Sequence, residues 1–371
     1  RVRALRTDNV HDLVRLAVEE CQKRLDPYYD HYLRLFDAPA DSGSPDYQVL
    51  EFSRFKLPSV HHNVGDTYLG FNQGICIPSE AYALVCEDGN LTEYTDTPNR
   101  ATNLWLQSCL LPQGHSLVHS AGITLNGQGF LFPAFGGAGK TMLIAALRKQ
   151  SAFMFFGDDY VVIDDKGEMH AYPSDFSIYP QHLELFPELA GTPYSDYFAK
   201  REHRLKLWDA WYRLPGNPAL RSVARWLRNT EDPRQLDPLV PSLPGWKMDY
   251  VKVPATEILE LDRIGTSAPM THCLLLSRYT GDVLQVEEIS RDALINKLSG
   301  IMSVEFRYGL IYLHLLASFG VIDPMLFEER QRAVWASCFA NVRLHEVLIP
   351  MAMSPSDYVE RMQDIVMEMA G

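Results

Sequence analysis

The residues best suited to chemistry in this 371-residue sequence form a glycine-rich run that ends in a lysine and a threonine. The run and the residue after it are Gly136, Gly137, Ala138, Gly139, Lys140, Thr141 and Met142. Glycines allow backbone N–H groups to turn inward around phosphate oxygens, and a helix start adds further free N–H donors. Lys140 supplies a mobile cation for the outer phosphates, and Thr141 supplies a hydroxyl ligand for Mg²⁺. We therefore expect these residues to bind the triphosphate of ATP together with Mg²⁺.

The residues around this run predict the strand, turn and helix that a phosphate-binding loop requires. Residues 130–133 are apolar and predict a strand, and residues 140–147 predict a helix. The common pattern is G-x-x-x-x-G-K-[ST], and Ala134 stands where that pattern has its first glycine. Alanine is compatible with this position if the backbone there has a negative φ. The alternative interpretation is a glycine-rich turn with a lysine at a helix start.

Two adjacent carboxylates, Asp158 and Asp159, follow the next apolar strand, predicted over residues 153–156. Phosphoryl transfer needs a held metal ion and a group that orients or deprotonates the attacking hydroxyl. The two aspartates can divide these roles between them. Side-chain direction decides which aspartate takes which role, so the sequence leaves both assignments open.

A histidine on the strand that precedes the loop is the third candidate. His119 lies on a strand predicted over residues 116–125, and a neutral imidazole there could tune a nearby carboxylate as a base. The alternative is a strand histidine with a structural role. His115 is a weaker candidate in a predicted loop, and we interpret Asp164 and Asp165 as turn residues.

The order of these features resembles HPr kinase/phosphorylase and its relatives, which share a fold with phosphoenolpyruvate carboxykinases. The resemblance is carried by residues 119–123, 126–132, 136–141 and 157–163. The sequence lacks a clear copy of the HPr kinase signature with its Glu-Ile-Arg-Gly core. It therefore resembles more the diverged relatives that phosphorylate serine in peptide precursors, including lasso peptides, or small hydroxyl substrates.

The resemblance also implies roles for individual residues. His119 would partner Asp158, and Asp158 would be the catalytic base. Asp159 would act at the metal or the phosphate. Lys140 and Thr141 would bind the triphosphate and Mg²⁺, with Thr141 and Asp159 as metal ligands.

The pattern along the chain predicts an α/β fold with α+β elements, namely a P-loop domain with a mixed sheet behind a smaller, mainly β module. We place this N-terminal module at residues 1–111, with a helix over residues 8–25. The P-loop domain follows at residues 112–350, with a basic insertion at 187–245, and a C-terminal helix occupies residues 351–371. The later elements are predicted as strands 250–261, 271–278 and 342–349 and helices 290–299, 303–318 and 324–336.

The basic insertion stands out in an acidic chain. Its cations are Lys200, Arg201, Arg204, Lys206, Arg213, Arg221, Arg225 and Arg228. It is a solvated helical face, a flap over the nucleotide or a dock for an acidic acceptor. Lys252 and Arg278, on later strands, are candidates to contact the transferred phosphate.

Composition limits the partners of the chain. A net charge of −13 argues against nucleic acid or an anionic membrane as a general partner. No apolar run has the length of a membrane span and no signal peptide precedes the chain, so we expect a cytoplasmic protein. The six cysteines contain no C-x-x-C pair and predict reduced thiols.

These observations favour an ATP- and Mg²⁺-dependent kinase that acts on a serine of a peptide or protein. One alternative is a small-molecule kinase that uses the same site on an amino-acid or sugar hydroxyl. The other is a nucleotide-binding regulator without transfer activity. A homo-oligomer is compatible with each of these hypotheses.

Overall fold

The computed structural model describes residues 47–50, 52–59, 62–64, 68–71, 73–78, 82–87, 90–95, 102–172, 175–196, 250–305, 313–314, 316–317 and 322–371. The predicted helix over residues 8–25 lies outside these residues. So do the eight cations of the basic insertion.

Helices and strands alternate irregularly along the described residues. The strands are β1 (Tyr47–Leu50), β2 (His62–Val64), β3 (Tyr68–Phe71), β4 (Gly74–Ile77), β5 (Tyr82–Glu87), β6 (Asn90–Thr95), β7 (His115–Val118), β8 (Ser120–Leu125), β9 (Gln128–Pro133), β10 (Met154–Gly157), β11 (Val161–Asp164), β12 (Glu168–His170), β13 (Phe176–Ile178), β14 (Val251–Val253), β15 (Ser267–Pro269), β16 (His272–Tyr279), β17 (Gln285–Glu288) and β18 (Arg343–Pro350). The α-helices are α1 (Thr102–Leu110), α2 (Lys140–Leu147), α3 (Ala255–Ile258), α4 (Arg291–Glu305), α5 (Pro324–Cys338) and α6 (Pro355–Met369). The mixture of helices with a mixed sheet confirms the predicted α/β class.

A six-stranded mixed sheet carries the glycine-rich loop, in the order β10-β8-β9-β16-β18-β17. Strand β9 pairs parallel with β16, and β16 pairs parallel with β18. Strand β8 is antiparallel to both β9 and β10, so β9 and β10 run in the same direction. The carboxyl ends of β9 and β10 therefore reach the same edge of the sheet, where ligands bind in open α/β sheets.

Besides the two-stranded β13-β14 pair, the described strands form two further sheets. Strands β15-β12-β11-β7 form an antiparallel four-stranded sheet. The N-terminal strands form a six-stranded sheet in the order β1-β6-β5-β4-β3-β2, in which only β1 and β6 pair in parallel among the described residues. Strands β2 to β6 pair antiparallel in succession, as consecutive hairpins do.

Helices α4 and α5 pack against the central and the four-stranded sheets. Leu294, Leu298 and Ile301 of α4 recur at helical spacing and are buried beside Leu131 of β9 and Trp335 of α5. Burying each such aliphatic side chain contributes roughly 1.5–3 kcal/mol. This packing fixes the carboxyl end of α4, where Glu305 lies.

The chain divides into two compact units. One comprises residues 1–176 and 254–371, and it contains the glycine-rich loop. The other comprises residues 177–253, with part of the β13–β14 pair and short 3-10 helices at Pro180–Leu185 and Pro187–Leu189. None of the described helices combines the length and the apolar character that a membrane crossing requires.

Three predictions differ from the structure. The break predicted between helices 290–299 and 303–318 is wrong, because α4 runs without interruption from Arg291 to Glu305 and Ile301 and Met302 continue its buried apolar face. The strand predicted over residues 116–125 is two strands in different sheets, β7 and β8, with His119 between them. The strand predicted over residues 250–261 ends at Val253, because Pro254 has no N–H for a ladder and the short helix α3 follows.

Candidate phosphate-binding site

The glycine-rich loop connects β9 to α2. Ala134 continues the extended backbone of β9 through a parallel bridge to Leu276 and has no positive φ, so alanine is compatible with the place of the first glycine. Gly137 and Gly139 have φ values of 77° and 110°, which side chains rarely adopt. Helix α2 begins directly after them at Lys140. The loop therefore has the strand-turn-helix form that its sequence predicts.

Helix α6 covers the end of the loop. The Tyr358 hydroxyl donates a hydrogen bond to the Gly139 carbonyl oxygen at 3.2 Å. A Cβ added to Gly139 would lie 2.6 Å from the Tyr358 ring, so no larger residue fits there without movement. Arg278 also lies over the Tyr358 ring, with its guanidinium 5.6 Å from the ring centroid. It also donates to the Pro350 carbonyl oxygen at 3.1 Å.

Lys140 folds back onto the start of the loop. Its Nζ donates to the carbonyl oxygens of Ala134 at 3.2 Å and Phe135 at 3.4 Å. The side chain is buried, and burial lowers the pKa of Lys140, while the charges of nearby carboxylates oppose this change. Those carboxylates are Asp158, Asp159 and Glu305.

The structure brings Asp158 to the beginning of α2. The Thr141 hydroxyl donates to Asp158 Oδ2 at 2.7 Å, and Asp158 is fully buried. This contact follows from the sheet, since β9 leads into the loop and the parallel β10 ends at Gly157 on the same edge. A carboxylate that accepts a hydrogen bond from a metal-ligating hydroxyl orients that ligand.

Asp159 is half-buried and its backbone carbonyl accepts from Ser120 N at 3.2 Å. The negative charge of Asp159 acts on Lys140, on His119 and on Tyr160. Burial, together with the charges of Asp159 and Glu305, raises the pKa of the Tyr160 hydroxyl. Tyr160 is therefore a neutral phenol at neutral pH.

Glu305 is the residue of this site that the sequence does not identify. Its Oε1 accepts a hydrogen bond from the backbone N–H of Gly136 at 2.5 Å. Glu305 is the last residue of α4 and lies 169 positions from Gly136, so only the packing of α4 brings them together. A carboxylate on a loop amide demonstrates that this amide points towards a position where an anion can bind.

His119 contacts the loop but not Asp158, so the predicted His119–Asp158 pair is wrong. Its Nδ1 lies 2.7 Å from the Ala134 carbonyl oxygen, a contact that requires a proton on Nδ1. The chain changes sheet at His119, and this turn directs the ring to the start of the loop. Its Nε2 lies 3.9 Å from Glu305 Oε2.

The electrostatic surroundings keep His119 neutral. Burial, and then the charge of Lys140, lower the pKa of His119 to about 4, although the charges of Glu305 and Asp159 oppose the shift. The 3.9 Å contact with Glu305 is therefore not an ion pair at neutral pH.

Three further predicted residues are Ala138, Met142 and Lys252. Ala138 is buried and its N–H donates to the Phe135 carbonyl oxygen at 3.3 Å, which closes the turn. The side chain of Met142 is buried, so only its backbone can serve a nucleotide. Lys252 belongs to the unit of residues 177–253 and its Nζ lies 5.6 Å from the Tyr250 ring centroid.

A cavity of about 690 Å³ lies in the unit of residues 1–176 and 254–371. It is lined by residues within 288–291 and 339–345, at the amino end of β18. The glycine-rich loop lies at the carboxyl end of the strands parallel to β18, so this cavity is not part of the site.

No protein-family model matches the sequence, and no curated protein matches it significantly. The geometry of the loop and its neighbours is therefore the basis for any functional assignment.

Proposed function

We propose that the chain is an ATP- and Mg²⁺-dependent kinase that transfers a phosphoryl group to the hydroxyl of a serine in a peptide or protein. The observation that carries this proposal is the 2.7 Å hydrogen bond from Thr141 Oγ1 to Asp158 Oδ2. It joins the hydroxyl at the start of α2 to a buried carboxylate at the end of a neighbouring strand. Phosphoryl transfer requires such a pairing of phosphate loop and acid.

The donors of the site fit a nucleotide and Mg²⁺. The Gly136 N–H already holds a carboxylate oxygen, and phosphate oxygens are acceptors of the same kind. Within the part of the chain that the structure describes, Lys140 donates to two loop carbonyls, which phosphate oxygens can replace. The Thr141 hydroxyl and the carboxylates of Asp158 and Asp159 are the oxygen ligands that Mg²⁺ prefers. When bound, Mg²⁺ neutralises charge on the phosphates.

The contacts favour different roles for the two aspartates from those that the family resemblance implies. Asp158 is fully buried and bonded to Thr141, so we propose that it orients the metal-ligating hydroxyl. Asp159 is half-buried and thus accessible to an acceptor. In the reaction, the serine oxygen forms a bond to the γ-phosphorus and the bond to ADP breaks. The serine proton passes to the Asp159 carboxylate.

Exposure of the loop supports a large acceptor. Phe135, Gly136 and Gly137 are exposed, and Phe135 is 46% accessible. A serine on an extended peptide can reach a phosphoryl group held at such a surface more easily than a phosphoryl group held in a closed cavity.

The test is phosphoryl transfer from ATP to a panel of serine peptides and small hydroxyl compounds, with ADP release and product mass as readouts. Asp159→Asn should lower kcat about 10²–10⁴-fold without changing the Mg²⁺ requirement. Asp158→Asn should raise the Mg²⁺ concentration needed for half-maximal rate. Asp262→Asn, at an exposed aspartate remote in sequence from the loop, is the matched control and should behave as wild type.

Three other outcomes would change the proposal. A large loss of kcat in Asp158→Asn at unchanged Mg²⁺ dependence, with an active Asp159→Asn, would restore Asp158 as the base. Transfer to a small compound only would favour the metabolite kinase. Binding of ATP without transfer to any acceptor would favour the non-catalytic regulator.

A further inference from the structure

A second group of titratable side chains lies on the four-stranded sheet, outside the phosphate-binding site. His115, Asp164 and His170 each offer one ligand atom, and these three atoms lie within 4.8 Å of one another. They come from the adjacent strands β7, β11 and β12. The sequence predicts Asp164 as a turn residue, but in the structure it is the buried last residue of β11.

The register of the sheet explains why the three side chains meet. Asp164 lies directly opposite His115, and His170 lies opposite Val162. Val162 and Asp164 are two residues apart on β11, so their side chains point to the same face. All three side chains are therefore on one face of a paired sheet, where the backbone holds their positions.

The outer hydrogen bonds orient the ligand atoms towards one point. His115 Nδ1 lies 2.8 Å from the Gln113 carbonyl oxygen, so Nδ1 carries the proton and Nε2 keeps its lone pair. Asp164 Oδ1 accepts the N–H groups of Lys166 at 3.0 Å and Glu168 at 2.8 Å, which directs Oδ2 to the cluster. Metal-binding histidines and carboxylates in proteins characteristically have such outer partners.

The spacing matches a small tetrahedral ion. His170 Nε2 lies 3.2 Å from Asp164 Oδ2. Two ligands that each lie about 2.0–2.1 Å from a tetrahedral zinc ion are separated by about 3.4 Å. The same distance also suits a simple hydrogen bond from His170 to Asp164, so the two explanations must be separated by experiment.

A buried network holds β7 in place before any ion binds. The Ser116 hydroxyl accepts hydrogen bonds from Gln107 Nε2 and Trp335 Nε1, each at 2.9 Å. Gln107 also accepts the N–H of Leu117 at 2.6 Å. The residue next to His115 is thus tied to α1 and α5, which makes the site rigid on this side.

We propose that His115, Asp164 and His170 bind one zinc ion, which links three strands of the four-stranded sheet. Two imidazoles and one carboxylate are ligands that suit zinc, whereas Mg²⁺ and Ca²⁺ prefer oxygen ligands throughout. The fourth position of a tetrahedral ion would be open to water, since His115 is only half-buried. This site is independent of the proposed kinase activity.

The test uses the full chain, stripped of metal with a chelator and titrated with Zn²⁺ against a chromogenic competitor. We expect one zinc per chain, no competition from excess Mg²⁺, and a higher melting temperature with zinc. His170→Gln keeps a hydrogen-bond donor for Asp164 but removes the imidazole ligand. It should therefore fold and lose at least about 100-fold in zinc affinity.

His345→Ala, which removes a histidine on β18 outside the cluster, is the matched control and should bind zinc as the wild type does. The proposal is overturned if the wild type takes up no stoichiometric zinc. Equal affinity in His170→Gln and wild type would also overturn it, and would leave His170 as a hydrogen-bond partner of Asp164 only. If Fe²⁺ displaces zinc under anaerobic conditions, the assignment to zinc is wrong.

Discussion

Replacing Glu305 with glutamine should strengthen the binding of ATP, because the carboxylate of Glu305 occupies a loop amide that phosphate needs. Glu305 Oε1 accepts the Gly136 N–H at 2.5 Å. A nucleotide must displace this carboxylate and must also tolerate its negative charge. Glutamine has the same shape and leaves a neutral, weaker acceptor at the same place.

The size of the effect follows from the kind of hydrogen bond. A hydrogen bond to a charged group contributes about 1.5–3 kcal/mol, against about 0.5–1.5 kcal/mol between neutral groups. The midpoints of these ranges differ by about 1.3 kcal/mol, which corresponds to just under about tenfold in Kd. The Glu305 side chain is 25% exposed, so solvent screens its repulsion of the phosphates only in part and this repulsion adds to the effect.

The assay is calorimetric titration of ATP into wild type and variants at fixed Mg²⁺. Glu305→Asp keeps the charge but is one methylene shorter, so it separates charge from reach and should tighten binding less than glutamine does. Glu328→Gln, at an exposed position of α5, is the matched control and should leave Kd unchanged. An unchanged or weaker Kd in Glu305→Gln would refute the reasoning, because the carboxylate would then not compete with phosphate.

Two further predictions concern the loop and its histidine. Gly139→Ala should destabilise the chain by about 3 kcal/mol, from backbone strain and from overlap with the Tyr358 ring. Gly137 also has a positive φ, of 77°, but has open space around it. Thermal unfolding of Gly137→Ala should therefore show a smaller loss of stability than that of Gly139→Ala, and equal losses would contradict the overlap argument. The pKa of His119 is lowered from 6.5 to about 4, so the folded state resists protonation and stability falls as pH drops through this range, by about 3 kcal/mol at full protonation. His119→Asn can still donate to the Ala134 carbonyl but does not titrate. Between about pH 7 and about pH 4, which bracket the two pKa values, its urea unfolding midpoint should therefore fall less than that of the wild type. The same pH dependence in both proteins would show that His119 is not the titrating group.

The parts of the site that depend on local sequence could be predicted. The phosphate loop needs glycines at positive φ before a helix start, and both signals are contiguous in the chain. The meeting of Asp158 with Thr141 could also be predicted, because strands that run in the same direction end at one edge. In the same way, apolar runs predicted the strands β16 and β18 and the helix α5.

The parts that depend on packing between distant elements could not be predicted. Glu305 reaches Gly136 only because α4 packs on the sheet, and nothing in the residues around it signals an acid at the loop. The cluster of His115, Asp164 and His170 depends on the register of three strands, and a shift of one residue would turn a side chain to the other face. Alternation within a single segment contains no information about that register.

The change of sheet at His119 predicts that the backbone of the site tolerates changes to its side chains. The His119 carbonyl accepts from Ala134 N at 3.5 Å, and Ser120 N donates to the Asp159 carbonyl at 3.2 Å. These backbone contacts join the start of β8 to the start of the loop and to the segment after β10. Since main-chain groups form them, substitutions at Asp158, Asp159 or Glu305 remove charge without removing these contacts. Such variants should therefore report on chemistry and binding, and a loss of folding in all of them would mean that the carboxylates themselves hold this corner together.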